Sequence, residues 1–423
     1  MRFPPGIPFL SPAAAGGADT ATFLALALAL ALVIALAKLG GYLSVRLRQP
    51  AVLGELLAGL ILGPSVLYFL QWAPFAPYGE LLQVEIQHFA EIGVLLLMFI
   101  AGLELHLSDL VKSGKVAAFA GVIGILLPML LGAGTMALFG YPMYKAIFVG
   151  LILSATSVSI SAQTLMELGR LRSRVGLGLL GSAVLDDVMV ILGISIFFAV
   201  FESGGGNLVD ILVLVGRMAG FLILAVGVGL VVLPRLASRI EKLPISRGLL
   251  AFVFVAILLY SWAAEAIGHM APITGAFVAG LVLARSPLKH KIEEQVSAAA
   301  YGLFVPVFFV SVGLAADARL LDSSIVLILA VLTVGAAVGK VAGCGLGGYW
   351  GGLNRRQALQ LGIGMMSRGE VGLIIANQGI SSGIIAPQMF AVVVGIVILT
   401  TLATPVFLRL SFREEAQAEV TAT

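Results

Sequence analysis

Asp186 and Asp187 stand side by side in the run 179–200, LLGSAVLDDVMVILGISIFFAV, which is otherwise apolar and long enough to span a bilayer. One carboxylate at such depth is costly, and a second gives each a like-charged neighbour that opposes its ionisation. A greasy helix needs neither for packing. Such a pair can hold protons while neutral and a small cation while ionised, so its chemistry is proton-for-cation exchange. Residues i and i+1 point about 100° apart on a helix. The two carboxylates therefore cannot chelate one ion equally, which favours one main ligand and one partner for a base.

Three other features carry charge or broken helix into apolar runs. Lys340 lies within 331–346, VLTVGAAVGKVAGCGL, too far from either end to snorkel, so it needs a carboxylate or must lose its proton. Asp186, Asp187, Glu370, Glu265, Glu104 and Glu55 are its candidate partners. Beside it Gly335, Gly339, Gly343, Gly347 and Gly351 recur at every fourth position, a small-residue face for close helix approach. The stretch Ser154-Ala155-Thr156-Ser157-Val158-Ser159-Ile160-Ser161 is dense in hydroxyl and β-branched residues, and Ser367-Arg368-Gly369-Glu370 is polar and glycine-flanked. Both weaken the helix near the middle of an apolar run, and unwound backbone at membrane depth persists only where it is buried or lines a cavity. Arg368 and Glu370 are expected to neutralise each other or to cap the broken ends.

The elements that must hold these residues follow from composition. The chain is 60% hydrophobic and 11% charged, with a mean hydropathy of +1.09, far outside the soluble range. Thirteen apolar runs emerge: 22–38, 51–68, 90–106, 116–138, 146–165, 177–201, 211–234, 248–268, 272–284, 301–315, 324–349, 358–380 and 388–408. The runs 272–284 and 301–315 are short and lean on their flanks. The expected fold is an all-α polytopic membrane protein of about 13 spans. With the N-terminus outside, 19 of the 25 Lys and Arg fall in connections facing the cytoplasm, which indicates N-out, C-in and an odd number of spans. The net charge of +3 thus reflects orientation and gives no reason to expect nucleic acid. Preceded by Asp19 and only Arg2, the first run reads as an uncleaved helix and not a signal peptide.

A repeat underlies the topology. Leu57-Ala58-Gly59-Leu60-Ile61-Leu62 resembles Val278-Ala279-Gly280-Leu281-Val282-Leu283, and Phe99-Ile100-Ala101-Gly102-Leu103 is echoed by Phe309-Val310-Ser311-Val312-Gly313-Leu314. Each partner lies seven runs later, and an odd offset inverts the topology. The expected organisation is an extracytoplasmic segment (1–21), a six-helix repeat (22–201), a linker helix (211–234), an inverted six-helix repeat (248–408) and a short cytoplasmic tail (409–423). Inverted repeats are an architecture of secondary transporters, with the site at midplane where paired broken helices meet.

Other chemistries find little to build on. The single Cys344 gives no disulfide framework and no metal-ligand spacing. His88, His106, His269 and His290 fall at or outside span ends, and no Walker lysine motif or nucleophile elbow occurs. The reading is a transporter, not an enzyme, with no cofactor.

Taken together, the acidic pair, the hydroxyl-rich break, the mid-helix lysine and the Arg-Gly-Glu stretch resemble the cation:proton antiporter two family, particularly its NapA-type bacterial sodium/proton antiporters. Gln49-Pro50-Ala51-Val52-Leu53-Gly54-Glu55 leading to Gly63-Pro64, and Pro306-Val307-Phe308-Phe309-Val310-Ser311-Val312-Gly313, add to the likeness, which covers roughly residues 22–410. The resemblance implies that Asp187 is the carboxylate for transported Na⁺, that Asp186 pairs with Lys340, and that Thr156 and Ser157 belong to the first broken helix. It places Arg368 and Glu370 on the second broken helix and implies a homodimer in a bacterial or archaeal cytoplasmic membrane. Potassium-moving relatives under glutathione control tend to have glutamine-aspartate at the pair and a nucleotide-binding domain, neither of which this chain carries. Potassium/proton exchange stays open, as do sodium-coupled uptake of an organic anion, for which Arg368 is the sole anion-binding candidate, and a channel, which would need continuous polar pore lining.

Overall fold

A computed structural model describes residues 12–47, 49–105, 113–201, 208–315 and 323–421. All regular structure in these residues is helical. In chain order the helices are α1 (Pro12–Arg46), α2 (Ala51–Leu62), α3 (Gly79–Glu104), α4 (Gly114–Leu138), α5 (Met143–Ser154), α6 (Val158–Glu167), α7 (Arg174–Phe201) and α8 (Leu208–Ile240). They continue with α9 (Gly248–Ala266), α10 (Pro272–Leu283), α11 (Lys289–Ala299), α12 (Val305–Leu314), α13 (Ser323–Trp350), α14 (Arg355–Gly364), α15 (Glu370–Ser381) and α16 (Pro387–Thr421). Ten helical stretches among the described residues are long and apolar enough to cross a membrane, and Ala51–Leu62, Pro272–Leu283 and Val371–Ile380 are shorter apolar helices. Leu130, Ile223 and Trp262 stand at least 60% exposed on such helices, an apolar surface of the kind that lipid covers. This is a multi-pass membrane protein.

Local chemistry explains where the helices stop. The run 51–68 was expected as one span, but α2 ends at Leu62 because Gly63-Pro64 follows. The residue before proline is disfavoured in the helical region and proline has no N–H to continue the ladder. Conversely, the run 301–315 is extended backwards by α11, joined to α12 through a π-helical turn at Ala300–Phe304. α14 begins at a capping box: the Gln357 amide donates to Asn354 Oδ1 at 2.8 Å, and the Asn354 amide to Gln357 Oε1 at 3.3 Å.

The helices pack as two bundles. In the first, α1, α2, α3 and α8 to α12 pack on one another; in the second, α4 to α7 pack with α13 to α16. The bundles meet along a seam where α6 touches α2 and α3, α16 touches α2, and α7 touches α8. The glycine stripe of α13 lies against α4: a Cβ on Gly339 would stand 2.7 Å from Pro128 Cα, and one on Gly343 2.7 Å from the Ile123 carbonyl oxygen. Small residues are what let these two backbones approach. Gly335, in the same register, has nothing within 4 Å.

Within the first bundle the repeated motifs interlock crosswise. A Cβ on Gly59 of α2 would strike the Val310 carbonyl of α12, and one on Gly280 of α10 would strike the Phe99 carbonyl of α3. Likewise Gly102 of α3 abuts the Phe277 carbonyl of α10, and Gly313 of α12 abuts the backbone of Leu56 and Leu60 in α2. Each contact has its counterpart in the other half of the chain.

Candidate cation site

The two interrupted helices supply the frame. α5 ends at Ser154, α6 begins at Val158, and the backbone between is extended at Ala155 and Ser157. α14 ends at Gly364 and α15 starts at Glu370. The breaks bond to each other: the Ser157 amide donates to the Ser367 carbonyl at 3.0 Å, and the Ser367 hydroxyl donates to the Ser157 carbonyl at 2.6 Å. Ser161 donates from α6 to the Gly364 carbonyl at the end of α14. Gly369 is required at this junction, because a Cβ there would collide with the Ser157 side chain.

Arg368 is 2% exposed and ties the breaks down through backbone carbonyls. Its Nη1 donates to the Ala155 carbonyl at 3.1 Å and its Nη2 to the Ala336 carbonyl of α13 at 2.8 Å. Its own backbone is held by α16, with its amide donating to Thr400 Oγ1 at 3.1 Å and its carbonyl accepting from the Thr401 hydroxyl at 2.8 Å. The guanidinium therefore caps the end of α5, which sequence anticipated for this residue in general terms. Its partners are carbonyls, however, and the Glu370 side chain lies outside the described residues.

The aspartates diverge as their positions on α7 dictate. Asp186 turns into the second bundle, where Lys340 Nζ donates to its Oδ1 at 2.6 Å. Both side chains of this ion pair are at most 2% exposed. Of the six carboxylates open to Lys340 in the sequence, the structure places Asp186 against it. Asp187 instead faces the seam, where its Oδ2 accepts from the Thr274 hydroxyl of α10 at 3.2 Å. Beside it lies a cleft of about 10 Å³, lined by Val158, Ala183, Asp187, Ile273, Thr274 and Phe277, of the order of a single water-sized particle. Val158 opens α6, so the N-terminal end of that helix and the carboxylate line one space.

Two buried oxygens nearby make no hydrogen bond: Thr156 Oγ1, in the first break, and Asp186 Oδ2. Buried polar atoms ordinarily find partners, so each exception calls for a reason. A hard cation that takes such oxygens as ligands is one. Carboxylate, hydroxyl and freed carbonyl are the donor types that Na⁺ takes.

Sequence reasoning did not single out Thr274, Thr400, Thr401 or the Ala155 and Ala336 carbonyls. Thr274 is a lone hydroxyl in an apolar helix, 87 positions from its partner, and no local pattern marks it. Ser367 and Ser161 lay within the polar stretches that sequence had flagged, without assigned roles.

Comparison with known proteins gives these contacts a setting. Residues 27–411 match the family described as sodium/hydrogen exchanger, transmembrane. The Na⁺/H⁺-K⁺ antiporter GerN of Bacillus cereus is 36% identical over 381 residues, covering 90% of this chain and 95% of that protein. The Na⁺/H⁺ antiporter of Enterococcus hirae is 37% identical over 88% of this chain and 94% of its own length. The high-affinity Na⁺/H⁺ antiporter NhaS3 of Synechocystis sp. is 33% identical over 99% of this chain and 98% of its own length. In fold, the chain superposes on the sodium proton antiporter MjNhaP1 of Methanocaldococcus jannaschii with a TM-score of 0.65 at 19% identity, covering 93% and 97% of the two chains. A match across nearly the whole helical region, with relatives aligned end to end, makes this chain a member of the transmembrane sodium/hydrogen exchanger family.

Proposed function

We propose that the protein exchanges Na⁺ or Li⁺ for H⁺ across the cytoplasmic membrane by alternating access, with Asp187 as the carboxylate for which cation and proton compete. The observation that carries this reading is the division of the pair. Asp186 is neutralised inside the second bundle by Lys340, whereas Asp187 opens on the seam between the bundles. A protonated carboxyl is neutral and cheap to hold in a low dielectric; a sodium ion stabilises the ionised form and displaces the proton. Thr156 and the carbonyls around the first break supply further oxygens, Ser157 and Arg368 fix the broken backbone, and Glu370 starts the second broken helix.

The reading extends to the whole chain. Residues 22–201 and 248–408 form inverted repeats joined by the linker helix 211–234. The paired contacts of Gly59 with Val310 and Gly280 with Phe99 support this, since Val310 follows Phe99 by 211 residues, as Gly313 follows Gly102. The N-terminus is outside and the C-terminus cytoplasmic, as the distribution of Lys and Arg favours. A homodimer is the expected assembly. Potassium remains a second cation to test because GerN, so named, handles it alongside sodium.

The test is proton flux into proteoliposomes under gradients of sodium, lithium or potassium at several pH values. Sodium or lithium should drive proton movement, and the sodium concentration giving half-maximal exchange should rise as pH falls. Asp187→Asn should abolish the cation-dependent flux. Full exchange by that variant would sink the assignment.

A further inference from the structure

Exchange demands more than a site that binds either ion: the carrier must not change face while empty, or one ion leaks without the other. We propose that Thr274 is the positioning residue that enforces this, latching the empty Asp187 carboxylate to the first bundle. The inference rests on the reading of Asp187 given above.

The latch joins the two bundles. Thr274 sits in the first turn of α10, 3% exposed, and α10 is fixed within the first bundle. A Cβ on Gly275 would strike the Tyr260 carbonyl of α9, and Gly280 abuts Phe99 of α3. Asp187, 8% exposed, belongs to α7 of the second bundle, whose packing on α4 places it with the glycine-striped α13. The Thr274 hydroxyl bond to Asp187 Oδ2 therefore crosses the seam between them.

Its strength depends on what the carboxylate holds. A hydroxyl donates more strongly to an ionised carboxylate than to a neutral one, and at 3.2 Å the Thr274 bond is a long member of that class. A sodium ion beside the same oxygen draws off its negative charge and sets a positive charge against the donor hydrogen, so the hydroxyl bond weakens. The cleft beside Asp187 has room for about one such particle, so ion and donor hydrogen compete for the same face. Bundles are thus tied together when the site is empty and loosened when an ion arrives. Slip of the empty carrier is opposed by the same contact that ion binding weakens.

The experiment measures sodium and proton fluxes simultaneously in proteoliposomes bearing the full chain, with a membrane potential imposed. The wild type should move sodium only against protons. Thr274→Val, which keeps the shape and deletes the donor, should add a potential-driven sodium flux unmatched by protons, on the order of tenfold above the wild-type leak, the effect of losing one hydrogen bond to a charged group. Thr274→Ser should keep the coupling. Thr274→Ala carries the same expectation as the valine variant should the latter not pack. An unchanged sodium-to-proton ratio in both variants, whatever their rates, overturns the latch. So does a weaker sodium affinity with the ratio intact, which would make the hydroxyl a ligand. A wild type with no sodium-dependent proton movement would instead overturn the reading of the site, and the latch with it.

Discussion

Lys340 is where the electrostatics of the site can be separated from its function. The lysine and Asp186 are both buried, with Nζ 2.6 Å from Oδ1, and Asp186 Oδ2 makes no hydrogen bond. A pair so placed has given up water on both sides, and removing one partner strands the other. Lys340→Gln should therefore destabilise the folded protein by about 3–5 kcal/mol, read as a lowered thermal midpoint in detergent. Adding Asp186→Asn should restore most of it, since two amides can satisfy each other without charge. A single variant as stable as the wild type would mean that the pair is not what holds α7 to α13. The sequence marked these residues because charge at membrane depth has few explanations. It left Thr274 and the carbonyls under Arg368 unmarked, because a lone hydroxyl and a backbone oxygen look the same in every apolar helix. Their role arises only when another helix arrives, so the polar frame of the site was legible while the contacts that close it were not.

Glycine placement decides how the helices approach, and α13 holds its own control. Gly339 and Gly335 share a face, a residue type and a helix. A Cβ at Gly339 would press 2.7 Å from Pro128 Cα, whereas one at Gly335 meets nothing within 4 Å. Gly339→Ala should cost about 1–3 kcal/mol through overpacking, and Gly335→Ala should cost nothing, with thermal midpoints of the two variants as the comparison. Equal effects would show that backbone proximity does not govern this interface. The four-residue period made the stripe readable in the sequence, because a helix brings such positions onto one face. The period alone did not name the partner helix or reveal that the stripe's first member is unused. The end of α2 was missed although Gly63-Pro64 forbids continuation, because the apolar run continues past it to residue 68. The need of the short run 301–315 for its flank was legible, and α11 with the π-helical turn supplies that flank.

Across the whole molecule, the two bundles give alternating access a physical seam. Each is internally interlocked by backbone-to-backbone glycine contacts, so neither can deform cheaply, and packed interiors shift between discrete arrangements more readily than they stretch. Relative displacement is then the available motion. Contacts across the seam include Thr274 with Asp187 and the Ala51 amide with Glu167 Oε2 at 2.8 Å. The first ties α10 to α7 and the second caps α2 with the end of α6, so both must break if the bundles slide. A covalent bridge across the seam should therefore halt exchange. Cysteines introduced at Ala183 and Ile273, which line the cleft from opposite bundles, can be joined by a thiol-reactive linker. The native Cys344 is buried and offers little competition for it. Sodium-driven proton flux should fall to the level of empty vesicles after bridging, while either single-cysteine variant treated alike should retain it. Transport that continues through a completed bridge would require the ion to cross between bundles that stay in register, which is a channel's behaviour and incompatible with alternating access.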